Sequence, residues 1–305
     1  MSPAAPATLS PAAPSPTDDA VAALAGLRLA LVGAGTMGNA IAGGLARAGA
    51  FPGAALAVVD RHGSSAAALA ARVPAARATD LVAACRDADV VLLCVKPRDV
   101  AGVLERLAAA GALARGGGAR PPLVISIAAG VRTAAIEAAL AGAPNAGAPV
   151  PVVRAMPNTA SAIGRGCTVL SAGAHAGAEH LALARAVFDC VGTCLELDER
   201  HLDAVTAVSA SGPAFVYVVL EALVDGAVSC GLPRGAAMEL VTRMTLGAAE
   251  MVLATGRHPA ALKDDVTTPG GCTIAGLLVL EDGRARSVLA RTIETTARVA
   301  GELSR

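Results

Sequence analysis

A glycine-rich turn near the start of the chain constrains its fold more than any other feature. The apolar run RLALV at residues 28–32 leads directly into GAGTMG at residues 33–38, and an Ala-rich stretch follows that predicts a helix over residues 39–49. Glycines at this GxGxxG spacing permit a tight turn, a close approach of the backbone to a phosphate, and close packing of helix on strand. The pattern predicts an α/β domain that binds a dinucleotide.

Short apolar runs recur after the turn and predict further strands at residues 56–60, 89–95, 123–128 and 152–155, with two more at 167–170 and 193–197. Helical or Ala-rich connections separate most of them, which is typical of a doubly wound parallel sheet of the Rossmann type. From about Glu199 the strand-like runs stop, and helices are predicted over residues 202–230, 234–255 and from Thr273 to the end. We therefore expect a Rossmann domain over residues 28–198 and an all-helical domain over residues 199–305. The Ala/Pro-rich residues 1–27 are expected to be a disordered tail.

The charge balance and the cysteine pattern exclude several classes of protein. Lys plus Arg and Asp plus Glu both number 25, so the formal net charge is zero and a nucleic-acid partner is not expected. Although 54% of the residues are hydrophobic, Arg and Asp interrupt most apolar runs. We therefore expect no membrane-spanning helix. Seven scattered Cys do not form a disulfide framework, and Cys190, Cys194 and His201 lack the spacing of a metal site. A cytoplasmic protein with a small-molecule partner is the resulting expectation.

The helical domain is apolar on too many sides to stand alone. Residues 202–230 are almost continuously apolar, with the small residues Ser209 to Gly212 in the middle. Because a hydrophobic helix must bury its surface, we predict that this domain forms a homo-oligomer interface in which the small residues allow close helix approach.

Residues at the predicted strand ends are candidates for contact with the dinucleotide. Asp60 lies 22 residues past Gly38, where a carboxylate can bind the adenosine ribose and favour NAD. Arg61 and two nearby serines can instead hold the 2′-phosphate of NADP, so the residues leave that choice open. Residues 94–97 and 128–130 follow two other strands, whose carboxyl ends face the ligand in open parallel sheets. Asn158 follows the next strand and can both donate and accept hydrogen bonds.

The segment at residues 263–280 carries the second candidate site. It reads KDDVTTPGGCTIAGLLVL, with two threonines, a Pro-Gly-Gly turn, and Thr273 at the start of an apolar helix. We predict Thr273 as the helix N-cap, with the backbone N–H groups of residues 270–275 open to an anion such as a carboxylate.

Several motifs in order resemble those of the pyrroline-5-carboxylate reductase family. They are VGAGTMG at 32–38, VKP at 95–97, AAG at 128–130, RAMPNT at 154–159, SASGPAFVY at 209–217, GLPR at 231–234, HPAALKDDV at 258–266 and TTPGGCTI at 267–274. Ala210 replaces the glycine usual in the family's SGSGPA motif, and the N-terminal tail has no counterpart. The resemblance implies a Rossmann domain with a helical dimerisation domain, and a homodimer that often assembles further into a decamer.

The resemblance also implies an activity, a cofactor and site residues. The activity is hydride transfer from NADPH, with NADH as the alternative, to the cyclic imine of 1-pyrroline-5-carboxylate, which gives L-proline. Thr273 is the implied catalytic residue, placed to hydrogen-bond the imine nitrogen, and no metal is implied. The substrate-binding residues are Thr268, Gly270, Gly271, Cys272, Thr273, Ala129 and Asn158. The cofactor-binding residues are Val32, Gly33, Ala34, Gly35, Thr36, Met37, Gly38, Asp60, Arg61, Cys94, Val95, Lys96, Pro97, Ala128 and Ala129.

The sequence bears on three alternative functions. A β-hydroxyacid dehydrogenase needs a catalytic Lys with an Asn four residues away on an interdomain helix, and the sequence has no such pair after residue 199. A reductase of another cyclic imine stays open. A regulatory module that only senses a dinucleotide leaves the TTPGGCT loop without a purpose.

Overall fold

The computed structural model describes residues 18–52, 55–73, 76–114, 120–141 and 149–303. They divide into two compact units. One contains the residues up to Ala210 together with those from Ala297, and the other is Ser211–Thr296.

An eight-stranded sheet forms the centre of the first unit. Its strands are β1 Leu29–Val32, β2 Leu56–Val59, β3 Ala76–Ala78, β4 Val90–Leu93, β5 Leu123–Ser126, β6 Val152–Met156, β7 Gly166–Ala172 and β8 Gly192–Glu196. They are ordered β3-β2-β1-β4-β5-β6-β7-β8. Leu29 and Leu31 belong to one buried cluster, and Ala30 and Val32 belong to another. Since both faces are covered, β1, β2 and β4 are continuously apolar, as expected for buried parallel strands. The doubly wound fold predicted from the sequence is confirmed.

Helices cover both faces of the sheet. They are α1 Asp18–Ala23, α2 Thr36–Arg47, α3 Gly63–Arg72, α4 Leu81–Arg86, α5 Pro97–Ala109, α6 Thr133–Ala141, α7 Ala178–Asp189 and α8 Leu202–Val205. Short 3-10 turns lie at Thr159–Ile163 and Glu199–His201, and a π-helical turn lies at Thr206–Ala210. The helix after the glycine turn begins at Thr36, three residues before its predicted start.

The sheet is not parallel throughout. β6 and β7 are antiparallel, with Arg154 opposite Ser171, whereas β7 and β8 are parallel to each other. Residues 157–165 alone connect β6 to β7, and they contain a 3-10 turn that ends at the left-handed Gly164. A parallel crossover needs a dozen residues or more, so this connection can only return the chain in the opposite direction. The expectation of a wholly parallel sheet is wrong at this point. The edge strand β3, of sequence ARA, was not predicted because it lacks β-branched residues.

The N-terminal residues are partly ordered. Asp18–Ala23 form α1, which packs against α7, and Leu24 just after it is 1% exposed. The expected disordered tail over residues 1–27 is therefore wrong for residues 18–27, because the apolar side chains of Ala20 and Leu24 join the core cluster beneath α7. Residues 1–17 lie outside the described residues.

The second unit is helical, as predicted. It contains α9 Gly212–Ser229, α10 Arg234–Thr255, α11 Pro259–Asp265 and α12 Cys272–Asp282, and α13 Ala285–Leu303 begins in it. The helical segment Glu199–Ser229 is long and apolar enough to cross a membrane by length and composition, and 11% of its most apolar window is buried. The interruption of apolar runs by Arg and Asp, on which the expectation of no membrane-spanning helix rests, does not hold for this segment.

The first twelve residues of that long segment pack with the sheet. Leu202 and Ala207 are fully buried, and the wider π-helical turn Thr206–Ala210, which contains Ala207, lies between α8 and α9. The Thr206 hydroxyl donates to the Leu202 carbonyl at 2.7 Å, a bond from side chain to backbone that often bends helices. The boundary between the compact units therefore falls at Ala210, eleven residues after the change of pattern at residue 199.

Candidate active site

Each glycine of the GAGTMG turn has its own structural reason. Gly33 has φ +111°, and a Cβ there would lie 2.7 Å from the backbone of Cys94 at the end of β4. A Cβ at Gly38 would collide with the Gly33 carbonyl oxygen, so this glycine allows α2 to pack on β1. A Cβ at Gly35 would meet nothing within 4 Å. The protein itself therefore leaves the space at Gly35 open, as a turn that admits a ligand to its backbone requires.

The amino end of α2 is suited to an anion. Gly35 is the N-cap and provides no side-chain cap, so the N–H groups of the first turn have no partner within the helix. These groups and the helix dipole together favour a phosphate at this end.

A cleft of about 800 Å³ opens at the turn and brings many predicted cofactor residues together. Its lining includes the predicted Val32, Gly33, Ala34, Gly35, Asp60, Arg61, Cys94, Val95 and Lys96. Thr36 and Met37 instead line a neighbouring cavity of about 290 Å³ with Thr159. Ala128 is close to this edge of the sheet, because the Ile127 amide donates to the Leu93 carbonyl at 3.1 Å. Pro97 begins α5, directly after Lys96.

The charged groups of the cleft leave a surplus of available cations. Four lining residues are cationic (Arg61, Lys96, Arg98 and Arg106) and three are acidic (Asp60, Asp80 and Asp99). Asp80 accepts from the amides of Val82 and Ala83 at 3.0 Å as the N-cap of α4, and Asp60 also accepts two backbone amides. Within the described residues, Lys96 and Arg106 have no ion-pair partner. Such a lining suits a ligand that carries several phosphate charges.

Asn158 is held by the segment that precedes the second unit. Its Nδ2 donates to the Ser209 Oγ at 3.3 Å, and its Oδ1 accepts from the Cys167 amide at 3.4 Å. The Ser209 Oγ in turn donates to the Cys167 carbonyl at 3.1 Å. Ser209, predicted as a small interface residue, thus bonds to the loop after β6. No pattern in the sequence indicates this pairing over 51 residues.

A second set of bonds fixes the loop after β5 and was also missed by the sequence. Glu199 accepts from the Thr133 amide at 2.8 Å and from its hydroxyl at 2.7 Å, at the start of α6. The same carboxylate pairs with Arg154 of β6 at 3.3 Å, and the Arg154 side chain is 2% exposed. Glu199 therefore fixes the helix that follows the predicted contact residues Ala128 and Ala129.

The TTPGGCT loop is built within the second unit. Gly270 has φ +68°, and the Gly271 amide donates to the Thr268 carbonyl at 3.1 Å. α12 begins at Cys272 with Gly271 as its N-cap. The prediction of Thr273 as N-cap is therefore wrong, because the turn at Gly270 and Gly271 starts the helix two residues earlier. The Thr273 hydroxyl makes no hydrogen bond within the described residues and is half-buried in the first turn of α12.

Comparison with known proteins decides the family. A sequence profile described as pyrroline-5-carboxylate reductase dimerisation matches residues 199–303, and one described as NADP oxidoreductase coenzyme F420-dependent matches residues 28–130. The chain is 39% identical over 279 residues to a pyrroline-5-carboxylate reductase from Synechocystis sp., which covers 92% of this chain and 99% of that protein. The chain belongs to the pyrroline-5-carboxylate reductase family. The resemblance drawn from its motifs is confirmed.

Solved structures of the family share the whole fold. A pyrroline-5-carboxylate reductase from Coxiella burnetii matches with a TM-score of 0.80 and 32% identity, covering 92% of this chain and 99% of that one. The Plasmodium falciparum enzyme, described with NADP bound, matches with a TM-score of 0.78 and 25% identity at the same coverage. The family likeness therefore includes both the cleft at the glycine turn and the loop at residues 267–273.

Proposed function

We propose that this chain is a pyrroline-5-carboxylate reductase, which reduces the C=N bond of 1-pyrroline-5-carboxylate to give L-proline, the last step of proline biosynthesis. The observation that carries the proposal is the extent of the family match, which covers 92% of this chain and 99% of the relative from Synechocystis sp.. The match includes the cleft that suits a dinucleotide and the loop that exposes an uncapped helix end.

NADPH is the cofactor that we propose. The open space at Gly35, the uncapped start of α2 and the cationic lining of the cleft fit a ligand with a pyrophosphate and a further phosphate. The description of the profile that matches residues 28–130 names NADP, and the Plasmodium falciparum structure is described with NADP bound. When bound, NADPH supplies the hydride that reduces the imine.

The remaining chemistry requires positioning more than strong acids or bases. Once the ring nitrogen is protonated, C5 of the substrate is a strong electrophile, so orientation and exclusion of water are the main needs. We propose that the uncapped N–H groups at the start of α12 bind the substrate carboxylate, with Thr268 and residues 270–273 around the ring. Ala129 and Asn158 of the sheet unit are also proposed to bind the substrate, and the Thr273 hydroxyl is proposed to hydrogen-bond the ring nitrogen.

The role of Thr273 predicts a specific loss. Thr273→Ala should lower kcat by about 10- to 100-fold, because a hydroxyl that only orients or relays a proton gives at most the lower range of acid catalysis. Thr292→Ala is the matched control, since the Thr292 hydroxyl donates to the Val288 carbonyl of its own helix at 2.9 Å. An unchanged kcat for Thr273→Ala would remove Thr273 from the mechanism.

The activity itself is tested by cofactor oxidation. The purified protein, with pyrroline-5-carboxylate, should oxidise NADPH faster than NADH at equal concentration and release one L-proline per cofactor consumed. Failure to oxidise either cofactor in an oligomeric preparation would refute the proposed function. Activity on other cyclic imines but not on pyrroline-5-carboxylate would move the assignment to another imine reductase.

A homodimer is the assembly that we propose for the second unit. Within Ser211–Thr296 the buried apolar residues are Val224, Ala237 and Val241 alone, which is too small a core for independent stability. Large apolar side chains are exposed instead, including Tyr217, Val218, Leu240, Met244, Leu253 and Val279. An exposed apolar area of this extent indicates an interface.

Light scattering without detergent tests the assembly. The expected mass is that of two chains or a multiple of two, up to the decamer implied by the family resemblance. A monomer at micromolar concentration, or a protein recovered only with lipid or detergent, would contradict the homodimer. A cytoplasmic location is proposed with it, and recovery of the protein from the membrane fraction would contradict that location.

A further inference from the structure

We infer that Thr267 is a positioning residue for the substrate loop, residues 267–273. It fixes the Pro-Gly-Gly turn to the end of α11, so that the neighbouring Thr268 hydroxyl is held beside the start of α12. The inference rests on the proposed function, because this loop is the one proposed to bind the substrate carboxylate.

Two hydrogen bonds join Thr267 to α11. Its hydroxyl donates to the Lys263 carbonyl at 2.6 Å, and its amide donates to the Asp264 carbonyl at 3.0 Å. Both carbonyls lie in the last turn of α11, where the C=O groups of a helix have no i+4 amide within the helix. Thr267 therefore caps the carboxyl end of α11 with its side chain as well as its backbone.

The turn that follows Thr267 has little freedom of its own. The Gly271 amide donates to the Thr268 carbonyl at 3.1 Å, Pro269 is the second residue of the turn, and Gly270 has φ +68° as the third. These are the features of a type II turn, in which proline fixes one φ and glycine supplies the positive one. The place of such a turn is set by the residues at its two ends, which here are α12 and Thr267.

Thr268 differs from its neighbour because its side chain is exposed and makes no hydrogen bond within the described residues. A Cβ added to Gly271 would lie 2.5 Å from the Thr268 Oγ1, so this hydroxyl lies beside the N-cap of α12 and its uncapped N–H groups. Consecutive Cα atoms are about 3.8 Å apart across a trans peptide. Fixing Thr267 therefore limits where the Thr268 hydroxyl can lie.

α11 is itself held at both ends. It has seven residues, fewer than an isolated helix needs to be stable in water. The His258 side chain accepts from the Ala260 amide at 3.2 Å at its start. The Arg257 Nη1 lies 2.6 Å from the Asp265 Oδ2, and this ion pair joins the residues that flank and end the helix. The bond from Thr267 thus attaches the loop to a helix whose ends are fixed.

Steady-state kinetics with two imines test the inference. Thr267→Val keeps a similar shape without the hydroxyl, and it should raise the KM for pyrroline-5-carboxylate by about three- to tenfold, as expected for one lost hydrogen bond. The kcat and the KM for NADPH should each stay within about twofold, because the loss falls on substrate binding and not on the chemical step.

The second imine, 1-pyrroline, is the same ring without the carboxylate. Because the loop is proposed to bind the carboxylate, Thr267→Val should leave kcat/KM for 1-pyrroline within about twofold of the wild-type value. A general loss of structure would instead lower kcat/KM for both imines by the same factor.

Conservative and control variants complete the design. Thr267→Ser retains a hydroxyl that can reach the Lys263 carbonyl, so it should restore most of the lost affinity. Thr245→Val is the matched control, since the half-buried Thr245 hydroxyl also donates to a carbonyl four residues earlier, that of Val241, at 2.9 Å within α10. It should change neither kcat nor KM.

The outcomes separate this inference from the proposed function. If Thr267→Val has the kinetic constants of the wild type, the inference is overturned and the proposed function stands. It is also overturned if kcat/KM falls equally for both imines, or if Thr267→Ser is as impaired as Thr267→Val. A wild-type protein that reduces no pyrroline-5-carboxylate would refute the proposed function and this inference with it.

Discussion

Removing the carboxylate of Glu199 should destabilise the sheet unit more than removing any exposed carboxylate of the same unit. Glu199 is 24% exposed and is the ion-pair partner of Arg154, whose Nε and Nη2 have no hydrogen-bond partner among the described residues. Breaking a buried pair from one side costs about 3–5 kcal/mol, because an uncompensated charge stays behind. Loss of the cap on Thr133 adds about 1 kcal/mol, although the two losses are not additive.

We therefore expect Glu199→Ala to lower the free energy of unfolding by about 4 kcal/mol and Glu199→Gln by about 2 kcal/mol, since the amide oxygen still accepts one Thr133 donor. Urea unfolding followed by circular dichroism, at one fixed protein concentration, measures both losses. Glu196→Ala is the control, because Glu196 and Arg185 are 45% and 37% exposed and such pairs contribute at most about 1 kcal/mol.

A second substitution tests the reason for the loss. If the isolated buried charge is responsible, adding Arg154→Met to Glu199→Ala should recover part of the stability, because an apolar side chain needs no partner. A Glu199→Ala protein as stable as Glu196→Ala would refute the reasoning, and so would a double variant that is less stable than Glu199→Ala alone.

Three further predictions follow from the described residues. Gly35→Ala should have the stability of the wild type but bind NADPH at least about tenfold more weakly, because a Cβ there enters the ligand space. Gly38→Ala should lose stability, because a Cβ there collides with the protein, and equal melting temperatures for the two variants would contradict this reasoning. Leu24→Ala should lower the free energy of unfolding in urea by about 2–4 kcal/mol, since Leu24 is 1% exposed in the core. An unchanged free energy of unfolding would contradict the packing of this segment on the core. Burial raises the pKa of the Cys85 thiol to about 12, so at pH 8 its alkylation should be about a thousandfold slower than that of an exposed thiol such as Cys272. The difference in rate should shrink as the pH rises. Rapid labelling of Cys85 in the native protein, measured by mass spectrometry, would contradict its burial.

The sequence predicted the parts of the molecule that depend on local pattern. The apolar runs located seven strands, and the helix at Arg234–Thr255 has the predicted bounds. The glycine spacing identified the turn because its three glycines lie within six consecutive residues, and Gly38 is needed to clear the Gly33 carbonyl oxygen. Short local signals of this kind survive in a single sequence because they need no distant partner.

The parts that were missed depend on partners far along the chain. Neither the bond from Thr133 to Glu199, over 66 residues, nor the one from Asn158 to Ser209 has a periodic signature. Nothing in the local sequence marks Arg154 as buried, because its ion-pair partner, Glu199, lies far along the chain. The N-cap of α12 was misplaced because the turn at Gly270 and Gly271 outweighs the capping preference of a threonine.

The reversal between β6 and β7 determines the route by which the chain leaves the sheet. β8 is antiparallel to β6, with β7 between them, and its last residue, Glu196, lies in register with Leu170 of β7 and Ala155 of β6. Glu199 follows three residues later and pairs with Arg154. The helical residues 199–209 then extend about 15 Å along the helix axis. From Arg154 to Asn158 the strand direction spans roughly 13 Å. Because the two lengths are similar, the helical residues bring Ser209 to Asn158. If the last strand were parallel to β6, the chain would leave the sheet at the end of β6 that Asn158 follows. The reversal instead places the helical residues 199–209 alongside the sheet, and their bond to Asn158 ties the position of Ser209 to that of the loop after β6.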